Sequence, residues 1–259
     1  MHHLLAFAGS VAQNASLANV PAIVDQYATQ FNSTTYTVPR TMRILRSYAM
    51  GDAISQVRFD SPLLRMIGPP QIQPIDVAVE PSTLPPVNKY DKNAMLLVQN
   101  DPLGMLASRA GSGAANVYVL HWLSDVIPPQ VNGPTIAIRA TFTATLTVNS
   151  WVAASLTFDQ QLPPGKFRIV GMSAVCGDLL AARLNLPNTP ERPGCLAQDL
   201  DSQWDWEWFR RGNFGDYGEF ESYSPPTVEL LGHTAGAETG FIWLDVQPMS
   251  GQRVPSMGF

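Results

Sequence analysis

This sequence predicts an all-β fold, two β-sandwiches in tandem behind a short N-terminal helical arm, and three observations carry that expectation. Residues 135–148 alternate without a break. Thr135, Ala137, Arg139, Thr141, Thr143, Thr145 and Thr147 fall on one face, and Ile136, Ile138, Ala140, Phe142, Ala144, Leu146 and Val148 on the other. A period of two sustained this long belongs to an extended strand with one wet and one dry face. Proline is the second observation: 22 of 259 residues, against about 5% in ordinary usage. Many are paired, as Pro69-Pro70, Pro85-Pro86, Pro128-Pro129, Pro163-Pro164 and Pro225-Pro226. A proline cannot donate to a sheet ladder, so such pairs end strands and stiffen the turns between them. The third is the run Asp125-Val126-Ile127-Pro128-Pro129-Gln130-Val131-Asn132-Gly133-Pro134, a linker that divides the chain into β-rich halves of similar size.

In chain order, residues 1–35 read as the helical arm, because Val20, Ile23, Val24, Tyr27 and Phe31 recur at three- and four-residue spacing. The opening run Leu4-Leu5-Ala6-Phe7-Ala8 is apolar like the core of a secretion signal. It lacks the basic flank and cleavage site of one. The first sandwich is expected over 36–127, with strands at Thr41–Tyr48, Ile54–Phe59, Ile72–Val79, Ala94–Gln99 and Asn116–Trp122. Two short helices are expected to interrupt it. Asp60–Gly68 has a capping serine, a proline at the first helical position and a terminal glycine. Asp101-Pro102 through Gly111 repeats that grammar.

After the linker, taken as 128–134, the second sandwich is expected over 135–259. Asn149-Ser150 turns the long strand, and Trp151–Asp159 runs back. Leu162-Pro163-Pro164-Gly165 fits a tight turn with glycine where positive φ is needed. Strands follow at Phe167–Val175, Leu179–Leu186, Glu219–Tyr223, Thr227–Leu231 and Phe241–Val246. Short strands between stiff turns are the pattern of sandwiches and jelly rolls. Two complete jelly rolls or one elaborated roll both remain compatible with this length.

Composition bounds the function. Apolar residues make up 45% of the chain, and charged residues only 14%, against roughly 25% in an ordinary soluble domain. A surface this poor in charge suits a subunit enclosed by neighbours. Lys89, Lys92 and Lys166 are the sole lysines among 16 basic residues. An arginine bias accords with interfaces, although compositional drift explains it equally well. The net charge of −5 and the absence of a basic stripe argue against binding nucleic acid through its phosphates. No window of 18 apolar residues encodes a transmembrane helix.

Chemistry is sparsely encoded. Cys176 and Cys195 read as two buried thiols, and could pair only in an oxidising compartment. His2, His3, His121 and His233 have no metal-ligand spacing, so no metal or other cofactor is expected. There is no Gly-x-Ser-x-Gly elbow. Gly111-Ser112-Gly113 lacks the lysine and helix start of a phosphate loop. Asn213-Phe214-Gly215-Asp216-Tyr217-Gly218 offers too few oxygens for calcium and reads as an aromatic turn.

The most unusual segment is Asp199 to Gly212, in which Trp204, Trp206 and Trp208 interleave with carboxylates. As a sugar groove it would use Asp205 and Glu207 as acid and base. On a strand, however, rings and carboxylates would segregate to opposite faces. On a helix, acids occupy the first turn, Arg210 and Arg211 the last, and Trp204 and Trp208 share a face. A structural or interfacial helix is the better reading.

The helical arm, the two β-rich halves, the proline-stiffened loops, the short helices and the charge-poor composition together resemble the double jelly-roll major capsid proteins of tailless icosahedral bacteriophages. Ala140–Val175, with Leu162-Pro163-Pro164-Gly165-Lys166-Phe167 at a strand junction, is similar to a strand pair of a coat-protein sandwich. The resemblance implies a non-enzymatic structural protein of the virion, made in the host cytoplasm. It implies a homotrimer that tiles into an icosahedral shell and meets other virion proteins. The arm would tie neighbours together or face an internal membrane or genome. Subunit contacts would then fall on Val20, Ile23, Tyr27 and Phe31 of the arm and on Trp204, Trp208, Arg210 and Arg211 of the helix. The alternative is a carbohydrate-binding or glycan-degrading sandwich that uses the Trp204–Trp208 segment.

Overall fold

The computed structural model describes residues 2–23, 35–62, 71–72, 74–76, 88–89, 95–124, 135–187, 189–197 and 217–249. The chain divides into two compact units, His3–Val126 and Ile127–Phe259, each built from strands. The first holds β1 (His2–Val11), β2 (Ala18–Val20), β3 (Thr35–Thr37), β4 (Met42–Gly51), β5 (Ile54–Asp60), β6 (Gln71–Ile72), β7 (Pro74–Asp76), β8 (Asn88–Lys89), β9 (Met95–Leu97), β10 (Pro102–Arg109) and β11 (Ala115–Ser124). The second holds β12 (Ile136–Leu146), β13 (Trp151–Ala154), β14 (Thr157–Phe158), β15 (Lys166–Val175), β16 (Leu179–Asn185), β17 (Gly194–Leu196), β18 (Glu219–Glu221), β19 (Thr227–Gly232) and β20 (Gly236–Pro248).

In the first unit one sheet runs β1-β11-β4, with the short strands β8 and β9 antiparallel to β4 beyond it and β7 parallel to β4. The other runs β2-β10-β5-β6, with β3 also on β10. Their facing sides interdigitate into one core, to which Leu5, Phe7, Ile44, Ala49, Val117 and Val119 come from one sheet and Val20, Val57, Phe59, Leu103 and Met105 from the other. In the second unit the sheets run β14-β12-β20-β15-β18 and β13-β19-β16-β17.

The principal strands of each unit, counted from its start, follow one scheme. In both, the first strand lies beside the last, the last beside the third, and the third beside the sixth. In the partner sheet the second lies beside the seventh, the seventh beside the fourth, and the fourth beside the fifth. The sixth place belongs to β18 in the second unit and to β8 and β9 in the first. The two units share this order although no sequence repeat links them.

Two helix expectations are corrected. The arm is not helical over its described residues: His2–Val11 and Ala18–Val20 are strands of the first sandwich. Residues 21–23 fold back along the free edge of β1, with Ala8 N donating to Pro21 O at 2.9 Å and Ile23 N to Ala6 O at 2.9 Å. A sheet edge covered this way no longer invites mispairing. Of the residues whose spacing suggests a helix, Val24, Tyr27 and Phe31 lie outside the described residues, while Leu4 to Ala8 nearer the start are buried on both faces. A continuous apolar run of that kind has no period to separate strand from helix.

Asp101 to Gly111 is likewise no helix. Its centre is β10, on which Leu103, Met105 and Ala107 point into the core and pair with β2, β3 and β5. Terminal signals resembling caps were outweighed by alternation along the strand. Of Asp60–Gly68, Asp60 ends β5 and Pro62 is helical, while residues 63–70 lie outside the described residues.

The long strand forms as its alternation predicts. On β12, Ile138, Ala140, Phe142 and Leu146 are buried, while Ala137, Thr143 and Thr145 are exposed. Asn149 takes φ 60° in the turn that follows and Gly165 φ 143° after the proline pair.

Candidate interaction surface

Strand pairing decides what the second sandwich shows to solvent. β12 and β20 pair in register from Ile136↔Val246 to Leu146↔Gly236. With Ile138, Ala140 and Phe142 turned inward beside Leu244, Ile242 and Gly240, the opposite face must carry Arg139 beside Trp243, Thr141 beside Phe241 and Thr143 beside Thr239. Phe241 and Trp243 are 37% and 43% exposed. Ser173 and Val175 of β15 flank the two rings on the other side.

A cation organises this face. The Arg139 guanidinium carbon lies 5.0 Å from the Phe241 ring centre and 5.7 Å from that of Trp243, within the range of cation–π attraction. Its Nε donates to the Asp159 carboxylate. Thr143 and Thr239 hydroxyls meet at 3.2 Å across the pair. The result is a patch of two aromatic rings and one held arginine, bordered by hydroxyls. Aromatic side chains and arginine are the residues that carry interface energy. Among the described residues no nucleophile–base pair accompanies them on this face.

Several other titratable groups are buried within the sandwiches. His121 of β11 is fully buried, with Nδ1 2.7 Å from Ser47 Oγ and Nε2 3.3 Å from Met105 Sδ. It stacks on Phe59 at 5.0 Å. Burial pushes its pKa down to about 3, so the ring is neutral. Arg109 ties two turns together: Nε donates to Asp52 O at 2.8 Å, NH1 to Gly111 O at 3.1 Å and to Gly113 O, and NH2 to the Asp52 carboxylate. The loop Gly111-Ser112-Gly113 therefore turns carbonyls inward to a cation, the opposite of an anion cradle. In the second sandwich Arg183 bonds Glu229 at 2.5 Å and lies 4.1 Å over the Trp151 ring. Cys176 and Cys195 are both buried and not joined in a disulfide, and burial raises the Cys176 thiol above its ordinary value. Among the described residues no three metal-ligating side chains cluster.

Of the contact residues expected from sequence, Val20 and Ile23 lie inside the first sandwich. Val20 is 0% exposed and opposite Met105, and Ile23 is 6% exposed against β1. Val20 belongs to the core of that sandwich. Tyr27, Phe31, Trp204, Trp208, Arg210 and Arg211 lie outside the described residues. The grouping of Phe241, Trp243 and Arg139 is only half written in the sequence. Arg139 interrupts a threonine face, and Phe241-Ile242-Trp243-Leu244 puts a ring at every second position. The missing half was the pairing of strands a hundred residues apart.

No family model matches the sequence, and no curated protein does. Among solved structures the chain is similar to the major capsid protein P2 from bacteriophage PM2. That match has 12% identity, 97% of this chain and 100% of that chain covered, and a TM-score of 0.24. It is also similar to the STIV major capsid protein, at 8% identity, 95% and 99% coverage and a TM-score of 0.25. With so little superposable backbone, these likenesses carry no weight beside the strand order itself.

Proposed function

We propose that this chain is a structural coat protein of a virion, built from two jelly rolls in tandem, which forms a homotrimer and tiles into an icosahedral shell. One observation carries the proposal. Both units place their principal strands in the same two-sheet order, the arrangement of an eight-stranded jelly roll with two Greek keys. Two such rolls in one chain give a trimer six similar wedges, enough for a pseudo-hexagonal tile. Fold by itself does not fix function, so the surface matters as well. A charge fraction of 14% and an exposed Arg139–Phe241–Trp243 patch suit a subunit enclosed by copies of itself. In this proposal the second roll contributes that patch to a subunit contact, and the Trp204–Arg211 segment remains a further contact.

Light scattering of the purified chain, with negative-stain imaging, tests the proposal. Trimers or closed shells are expected. A stable monomer across the concentration range overturns it.

A further inference from the structure

We propose that the second sandwich binds a neutral glycan at a site centred on Tyr223. The site is independent of shell building, since a coat protein or a free binding module could carry it. Tyr223 is 80% exposed, the most exposed large apolar side chain among the described residues. Yet the turn that bears it is stapled on both sides. Ser224 N donates to Glu221 O at 2.8 Å, closing the turn, and Ser222 N donates to Gly165 O at 2.9 Å. Gly165 N returns a bond to Ser222 Oγ at 3.0 Å, and Pro225-Pro226 stiffen the exit. A ring mounted on a fixed turn loses little freedom when a ligand stacks on it.

A cavity opens on either side of Tyr223, which lines both. One holds about 460 Å³ and the other about 510 Å³, each within the ~300–1,000 Å³ range of small-ligand sites. The larger is lined among the described residues by uncharged groups, including Phe158, Gln160, Gln161 and Leu162. Gln160 Nε2 donates to Ala137 O at 3.1 Å, which anchors that amide and leaves its oxygen as an acceptor. Among the described residues the smaller cavity has balanced charge, Lys166 and Arg168 against Glu219 and Glu221. Glu219 is claimed by both cations, at 2.5 Å from Lys166 and 3.0 Å from Arg168. Neither cavity therefore favours an ion. Amides, carboxylates and hydroxyls around an aromatic platform suit a neutral ligand with many hydroxyls and one apolar face. A pyranose ring has both: its C–H face covers the tyrosine and its hydroxyls meet the amides.

The full chain is probed on an array of neutral gluco-, manno- and galacto-configured oligosaccharides beside a sialylated set, followed by calorimetry on any glycan retained. At least one neutral glycan should bind. Tyr223→Ala should weaken it at least tenfold with an unchanged thermal midpoint, Tyr223→Phe should keep it, and Gln161→Ala should weaken it less. Absence of neutral glycan binding, retention of sialylated glycans alone, or binding indifferent to Tyr223→Ala overturns the site. None of these results bears on assembly, which light scattering reads separately.

Discussion

Where β11 pairs with β4 in the first sandwich, the sheet is dry on both faces, while β12 and β20 of the second are dry on one face only. On β11 and β4 the core side carries Val117, Val119, Ile44 and Ala49. The reverse side carries Tyr48, Met50, Leu120 and Trp122, which are buried as well. On β12 and β20 the core side carries Ile138, Phe142, Ile242 and Leu244, and the reverse side shows Phe241 and Trp243 to solvent with Arg139 between them. One strand order thus supports two uses of a sheet's second face. In the first sandwich that face is enclosed, and in the second it is presented.

The largest expected effect sets two tryptophans against each other. Trp122 is 1% exposed and Trp243 43%. Trp122→Ala should cost about 3–5 kcal/mol of folding stability through the lost apolar burial and the cavity left behind. Trp243→Ala should change folding stability by less than about 1 kcal/mol. It should weaken subunit association by about 2 kcal/mol or more, roughly thirtyfold, if the exposed face is a contact. Denaturant melts and concentration-dependent light scattering on both variants separate the two effects. Equal losses of stability would erase the distinction between the faces.

This contrast also explains what could be read from the sequence. A strand with one wet face writes its period into the residues, as 135–148 does, and such strands were legible to within a few positions. A strand dry on both faces does not, so β1 passed for part of a helical arm. β10 was hidden differently, by a proline and a glycine that imitate helix ends. The chain divides between Val126 and Ile127, next to the Pro128-Pro129 pair that the sequence shows. The aromatic patch was not, because Arg139 meets Phe241 and Trp243 only through a strand pairing that spans about a hundred residues. Tyr223 looked like the end of a strand, and nothing local reports that its turn is stapled to Gly165.

Acid should separate the sandwiches next. His121, in the core of the first, has its pKa lowered from 6.5 to about 3 by burial. A group whose folded value is depressed contributes stability that is fully present above its unfolded value and lost as pH falls toward its folded one. The first sandwich should therefore lose about 1.4 kcal/mol per pH unit below pH 6.5 from this residue alone. The loss should continue until pH approaches 3. Hydrogen exchange on β4, β5 and β11, followed from pH 7 to 4, should show this slope, and His121→Phe should flatten it. In the second sandwich Glu219 is pushed up by partial burial, but hydrogen bonds and charge from Lys166 and Arg168 outweigh this and hold it below the ordinary carboxylate range. Its contribution should survive to a lower pH, failing only as pH drops through that depressed value. A common midpoint for both sandwiches would break the comparison.

Glycines give a smaller test within the second core. Gly240 lies opposite Phe142, and a Cβ there would stand 2.5 Å from the Phe142 ring and 2.5 Å from the Val175 carbonyl oxygen. The ring could turn aside, but the backbone oxygen is fixed by the ladder. Gly240→Ala should cost about 1–3 kcal/mol by overpacking, read as a lower urea midpoint with an unchanged slope.

The smallest effect is also the one whose sign is least intuitive. Gly113 in the first sandwich and Gly177 in the second both sit in turns where an added methyl group would meet nothing within 4 Å, so packing predicts no difference between them. Backbone conformation does. Gly113 has φ 69°, in the left-handed region, where an alanine Cβ crowds its own carbonyl and costs about 1–2 kcal/mol. Gly177 has no positive φ, so alanine fits its conformation while removing freedom from the unfolded chain. Gly113→Ala should destabilise by about 1 kcal/mol and Gly177→Ala should stabilise by about 0.4–1 kcal/mol. Opposite shifts in the thermal midpoint from two equally uncrowded glycines would trace the difference to backbone conformation, since side-chain contact is absent from both.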